Sequence, residues 1–371
     1  MGRRGALDVV LLLSAGVFLA RAGCPLQRTA GFVASHGPRG SPPLTGASSS
    51  IQMWPGAALR GAPTLASPRL AARAGRARGA ARFLGCAVDQ GQQTLAELAV
   101  GVLVEEDPKR KIELSKAASD AWQKGSVSAI GSAYPPDRPG RPPWVEVVGW
   151  QKTAKRGKTL ENMNTRLSLL HSIAHIESYA IDLTWDLVAR FDGMPKEFYD
   201  DWVQVAKEET LHFGMLSDRL KELDSSYGAL PTHDGLWKAA ALTSHDLKAR
   251  LAIVHMVHEA RGVDVTPSTI NKFRSAKDEK TAKVLERIYV DELTHVEKGL
   301  KWFKYLSERE GHPEPHNLFK EVVFEHFGYL KGPFNSDGRG KAGMGEEWYV
   351  PLVKGFDGEE PTHKGPSPSP F

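Results

Sequence analysis

The chain has 371 residues, enough for one large domain or two modest ones, and its formal charge of +4 is the sum of two unlike parts. Residues 1–88 hold 11 Arg, no Lys and one acid, Asp8, so the remainder is net acidic and offers no general electrostatic case for binding nucleic acid. Both cysteines, Cys24 and Cys86, fall in that basic stretch; a chain relieved of it has no means to form disulfides, zinc ribbons, iron–sulfur clusters or thiol nucleophiles, and must work with carboxylates, imidazoles and tyrosines.

Residues 1–88 read as an address rather than a fold. Arg3 and Arg4 precede the apolar run Val9 to Ala20, too short for a membrane span and about the length of a signal h-region. A tract rich in Ala, Gly, Ser, Pro and Arg follows, including "RLAARAGRARGAARF", with the composition of a transit peptide. A signal peptide followed by a transit peptide resembles the bipartite presequences of plastids bounded by more than two membranes. Plastid import is therefore the expected destination, with the mitochondrion or the secretory pathway as alternatives. The mature chain is expected to have no membrane span.

Residues 89–158 should hold N-terminal helices and a linker. "QTLAELAVGVLVEED" (93–107) and "PKRKIELSKAASDAWQKG" (108–125) suggest two short helices parted at Pro108, and "YPPDRPGRPPW" (134–144) must run extended because its prolines lack the donor and fix φ. Four long helical segments follow in 159–310. The first, about 160–191, carries Leu170, Ala174, Glu177, Ile181, Thr184 and Val188 at alternating steps of four and three. The second, about 196–223, gives Trp202, Val205, Glu209, His212, Leu216 and Leu220. The third, about 244–262, places Leu251, His255 and Glu259 on one face, and Gly262 is expected to end it. The fourth, about 278–309, gives Leu285, Ile288, Glu292, His295, Gly299, Trp302 and Leu306. Strand signals are almost absent, so the class is all-α and the natural packing is a four-helix bundle. The Gly- and Pro-rich residues 311–371 read as an irregular C-terminal tail, disordered at its end.

Each apolar stripe is interrupted at one level by a carboxylate: Glu177, Glu209, Glu259 and Glu292. His212 and His295 follow three residues after Glu209 and Glu292, so each pair shares a helix face and can reach one ion. Four desolvated carboxylates packed together would repel one another and take up protons, whereas two cations remove the conflict. Glu-x-x-His once is a weak signal; twice, with a stripe-centred Glu on each of the other two helices, it is the pattern of a carboxylate-bridged di-iron or di-manganese site. Glu208 and Asp291 precede the paired glutamates and are candidates to hold a ligand histidine by its other nitrogen. Tyr289 lies on the same side as Glu292 and is a candidate neighbour of the ions or a core residue. His175 is about 200° around the helix from Glu177 and should not share its ions; His171, His255 and His258 are packing residues or outer neighbours, and His233 and Asp234 suit a helix cap.

"LLHSIAHIESYAIDLTWD", "VAKEETLHFGMLSDRLKEL", "YGALPTHDGLW", "EARGVDVTP" and "LERIYVDELTHVEKG" together resemble the family called domain of unknown function 455, over roughly residues 92–345. That resemblance implies a ferritin-like fold and di-metal ligation, with Glu209 and Glu292 bridging as in similar sites. It carries no reaction. A tRNA hydroxylase belongs to the same superfamily, but no residue here specifies tRNA, and the sequence does not choose between a small-molecule and a tRNA substrate. The expected function is a non-haem di-iron oxidoreductase of the oxidase or oxygenase class, with two iron ions, or manganese or a mixed iron/manganese pair. It needs an external electron donor, a reductase or a ferredoxin-type protein. The alternatives are a metal-handling or peroxide-scavenging protein and a metal-stabilised interaction module.

Overall fold

A computed structural model describes residues 93–149, 160 and 162–355, so the expectations placed on the presequence and on the last residues of the chain lie outside the described residues. The described chain is all-α; it contains no strand, only isolated bridges pairing Val147 with Thr232 and Leu330 with Val353. No helix among the described residues is long and apolar enough to cross a membrane.

Local sequence sets the helix starts. In α1 (Leu95–Val104) Thr94 and Glu97 form a reciprocal capping box, Glu97 N donating to Thr94 Oγ1 and Thr94 N to Glu97 Oε2. In α2 (Pro108–Gln123) Pro108 fills the first turn, where its missing N–H costs nothing, and Asp107 accepts from the amides of Lys109 and Arg110. The Pro-rich segment runs non-helical across these helices as expected: Gly140 N donates to Leu103 O at 2.7 Å and Lys111 Nζ to Gly140 O at 3.0 Å.

Next come α3 (Met163–Arg190), opened by an Asn162 cap, and α4 (Lys196–Glu222). The short link between them makes them antiparallel neighbours, and they form the most extensive helix pair in the structure. α3 is buried on nearly every side from Leu169 to Ala189, because α1 covers the face that α4 leaves. Its buried Asp182 is matched by Lys111 at 2.6 Å and by Arg141, and Asp186 by Arg190 and Arg250. Removing one partner of such a pair strands a charge, at about 3–5 kcal/mol.

The crossover from α4 carries α5 (Gly235–Leu242), where His233 Nδ1 accepts from Gly235 N at 3.3 Å while the Asp234 side chain makes no cap bond. The third segment departs from expectation. α6 (Leu247–Arg250) leads into a π-helical stretch, Leu251–His258, and on into α7 (Glu259–Ser275). The residues at both joints have right-handed helical dihedrals, so the three pieces form one continuous helix. Gly262 does not end it: glycine costs only about 1 kcal/mol relative to alanine in a helix, and the buried neighbours Val263, Asp264 and Val265 outweigh that. Pro267 does not end it either. Its ring leaves the carbonyl of Val263 without the usual amide, and Asn335 Nδ2 donates to that oxygen at 3.1 Å instead.

α8 (Glu279–Arg309) starts at an Asp278 cap and pairs chiefly with α7. The expected irregular tail is corrected over its described part: α9 (Pro315–His326), α10 (Ser336–Lys341) and two 3₁₀ turns, Glu346–Trp348 and Val350–Leu352, pack onto the body. They bury Phe319, Val323, Trp348 and Leu352. Arg339 donates twice to the buried Asp264, and Asn335 N donates to the same carboxylate, so the tail is anchored to α7 by charge as well as by apolar area.

Candidate metal centre

Four helical elements bring the six predicted residues to one level. Glu177 comes from α3, Glu209 and His212 from α4, Glu259 from the first residue of α7, and Glu292 and His295 from α8. Glu209, His212 and His295 are buried almost completely, Glu177 and Glu292 are 6% exposed, and Glu259 is half-buried.

Their ligand atoms form two groups, Glu177, Glu209, His212 and Glu292 in one and Glu209, Glu259, Glu292 and His295 in the other, each with one atom per residue within 4.8 Å of the rest. Glu209 and Glu292 belong to both. The atoms divide accordingly: Glu209 Oε2 lies 3.4 Å from His212 Nδ1 and Oε1 2.9 Å from His295 Nδ1, while Glu292 Oε1 lies 3.7 Å from His212 Nδ1 and Oε2 3.7 Å from His295 Nδ1. Each shared carboxylate thus offers one oxygen to each side.

The outward nitrogens fix the imidazoles. His212 Nε2 is 3.0 Å from Asp291 Oδ2 and His295 Nε2 is 2.9 Å from Glu208 Oε2. A carboxylate only accepts, so Nε2 keeps its proton, and in the neutral ring the Nδ1 lone pair faces the shared glutamates. The pairing crosses between helices: the acid of each motif holds the histidine of the other.

The donor set fits a pair of divalent or trivalent cations. Both Nδ1 atoms and both oxygens of Glu209 are buried and face only one another and the neighbouring glutamates, without a well-aligned hydrogen bond, an arrangement costly for a closed protein core and ordinary for ligands aimed at ions. The electrostatics agree. Burial, then the Glu209 carboxylate, hold Glu177 well above the usual carboxylate range; burial, then Glu292, do the same to Glu259. Burial also works against charge on Glu209 and on both histidines, but is overridden. The His295 and His212 imidazoles keep Glu209 low, Asp291 and Glu177 lead in raising His212, and Glu209 and Glu292 lead in raising His295. The raised groups, Glu177, Glu259 and the two imidazoles, hold protons where the ions would sit, and an entering cation must displace them.

A cavity reaches the group. Glu177, Glu209, Glu259 and Glu292 contribute to its wall, and Ile173, Ala180, Leu183, Val254, Leu285 and Ile288 line much of the rest. Two features here have little sequence signal. The π-helical stretch widens the helix immediately before Glu259, and Gly299 of α8 lies against it so closely that a Cβ would sit 2.3 Å from His255 O.

The remaining candidates are placed elsewhere. Tyr289 OH accepts from Asn335 Nδ2 at 2.9 Å and so joins α8 to the C-terminal segment. His175 bonds Tyr227 OH and His233 O, and burial pushes it down to about 3. His171 Nε2 accepts from Gly228 N. The His255 ring packs 4.3 Å from Trp202, whereas His258, pushed down to about 4 by burial, forms part of the cavity wall.

A family model described as "Protein of unknown function (DUF455)" matches residues 104–350, a span that includes every residue of this centre. A relative from Haemophilus influenzae, described as "Uncharacterized protein", is 38% identical over 183 residues, covering 47% of this chain. The match spans 63% of that relative, less than two thirds of its length. No solved structure matches.

Proposed function

The chain belongs to the DUF455 family, and we propose that it is a ferritin-like di-metal protein, a four-helix bundle in which α3, α4, the α6–α7 helix and α8 hold two ions, with iron as the preferred metal and manganese the alternative. Its proposed reaction class is dioxygen-dependent oxidation of an organic substrate. The observation that carries this reading is the pair of ligand groups sharing Glu209 and Glu292 beside a largely apolar cavity. A purely structural pair of ions has no use for such a cavity, and a bundle held only by packing has no use for two buried imidazoles turned onto four clustered carboxylates.

The residues divide the work. His212, Glu177 and the shared glutamates would hold one ion, and His295, Glu259 and the same glutamates the other. The bound pair would supply the redox chemistry for using dioxygen. Asp291 and Glu208 hold Nε2–H of each imidazole and thereby keep Nδ1 directed inward. The apolar wall excludes water and favours a substrate whose reacting end is hydrocarbon.

The described residues contain no cysteine, so sustained turnover needs an external reductase or ferredoxin-type donor. We place the protein in a plastid, on the composition of residues 1–88. The test is anaerobic loading with iron(II) or manganese(II), metal analysis, and absorption spectra on exposure to oxygen. Two ions per chain and an oxygen-dependent spectral change are expected. Protein that retains no metal, with Glu292→Ala identical to wild type in metal content and melting temperature, overturns the reading.

A further inference from the structure

Turnover with dioxygen or peroxide exposes a protein to its own oxidant whenever substrate is missing. In this structure a line of aromatic rings runs to the surface from a point two helical turns along α4 from Glu209. Trp202 lies on the stripe of α4 that carries Glu209, seven residues earlier and so about 10 Å along the axis. Its fully buried ring packs against His255. Phe198 follows, 6.1 Å from Trp202 and 5.2 Å from Trp302 between ring centres, and Trp302 lies 5.4 Å from Tyr305. Tyr305 is 37% exposed.

We propose that Trp202, Trp302 and Tyr305 form a one-electron conduit by which oxidising equivalents leave the metal centre when no substrate is bound. The inference rests on the di-metal reading and adds a protective route to it. Trp and Tyr are the side chains most readily oxidised by one electron when cysteine is lacking, and the described residues have none. Phe198 is not oxidised in this range; it fills the gap between the two indoles and shortens the path through space. Packing alone explains buried rings, but three further features fit transport. The line is continuous, its outer end is a solvent-facing phenol, and Trp302 Nε1–H donates at 2.9 Å to Asp201 Oδ2, a carboxylate oxygen that also pairs with Lys301 Nζ at 2.6 Å. Trp202 Nε1 is buried with no acceptor, so this ring can lose an electron but has nowhere to send its proton.

The balance for each equivalent is closed. One electron passes from the Trp202 indole to the oxidised centre, leaving the indole radical cation. Trp302 supplies an electron to Trp202 and passes its indole proton to Asp201. Tyr305 supplies an electron to Trp302, which recovers its proton from Asp201, and the phenol proton goes to solvent. A soluble one-electron reductant such as ascorbate or a thiolate then restores Tyr305.

The experiment loads the full chain with iron(II), measures metal content, adds hydrogen peroxide without reductant or substrate, and maps oxidised residues by peptide mass spectrometry. Modification of Tyr305, including dityrosine, is expected in the wild type. Trp302→Phe should lower it several-fold, with oxidation gathering at Trp202, and Tyr305→Phe should move it to Trp302. Tyr305 modification that is equal in Trp302→Phe, or equal in metal-free protein, comes from peroxide in bulk solution and overturns the conduit. Protein holding two ions per chain with Tyr305 untouched overturns the conduit alone, whereas protein that takes up no metal overturns the di-metal reading together with it. If Trp302→Phe fails to fold, the exposed Tyr305→Phe decides: no oxidation at Trp302 in that variant counts against the proposal.

Discussion

His212 on α4 and Asp291 on α8 meet at 3.0 Å, Nε2 to Oδ2, so the ring of each Glu-x-x-His motif is oriented by the helix that does not carry it. Two helices that cross-brace each other's ligands behave as one unit, and disturbing one acid should be felt on the opposite helix.

Asp291→Asn should therefore weaken the ion on the His212 side, and Glu208→Gln the ion on the His295 side, each by about 10–100-fold in affinity, with the other ion less affected. Competition with a calibrated chelator at fixed pH measures both. Equal losses at both ions from a single substitution would contradict the crossed assignment.

The pH response of the metal-free protein follows from four raised pKa values. His212 and His295 titrate above their ordinary 6.5 in the fold, and Glu177 and Glu259 above their ordinary 4.5. A group raised on folding stabilises the fold below its unfolded pKa and loses that contribution as pH rises through the folded value. Metal-free protein should therefore melt at lower temperature as pH is raised above neutrality. Metal-loaded protein should respond oppositely, losing stability as pH falls, because protons compete with the ions. Melting curves of both forms across pH 6 to about 9 test the reversal.

Gly299→Ala places a methyl 2.3 Å from His255 O, a backbone atom that cannot swing aside. α8 must move off the π-helical stretch, and a loss of about 1–3 kcal/mol is expected. The same shift displaces Glu292 and His295 relative to Glu259, so metal content should fall as well. Denaturant melts and metal analysis of the one variant check both. By contrast Gly214→Ala, with nothing within 4 Å of the new methyl, should be stable and fully loaded.

For the basic stretch, removal of a presequence predicts a mature N-terminus between about residues 80 and 92. N-terminal sequencing of protein from its native source decides this, and a start at Met1 would sink the import proposal.

Much of the site was legible because a ligand on a helix must repeat with the helix. Glu177, Glu209, Glu259 and Glu292 each break an apolar stripe, and the two histidines sit at a spacing that shares a face with a preceding glutamate. What sequence could not show depends on residues far apart in the chain. Gly262 looks like a stop, yet the helix continues through it and through Pro267, where Asn335, some seventy residues on, donates to the carbonyl that the proline leaves without an amide. The Gly-rich tail reads as irregular until Asp264 is known to face Arg339. The crossed pairing of Glu208 and Asp291 depends on how α4 and α8 lie side by side, which no single-helix pattern records.

The π-helical stretch before Glu259 also bears on how the chain tolerates changes in length. An i→i+5 stretch holds about one residue more than α geometry needs over the same rise. Elsewhere in these helices, removing a single residue rotates everything beyond it by about 100° and swings a ligand out of line. Within Leu251–His258 a one-residue deletion should instead be taken up by the turn closing to ordinary pitch, with Arg250 and Glu259 keeping their facing. Among the described ligand-bearing helices, this stretch is where a one-residue deletion should still present the same carboxylate.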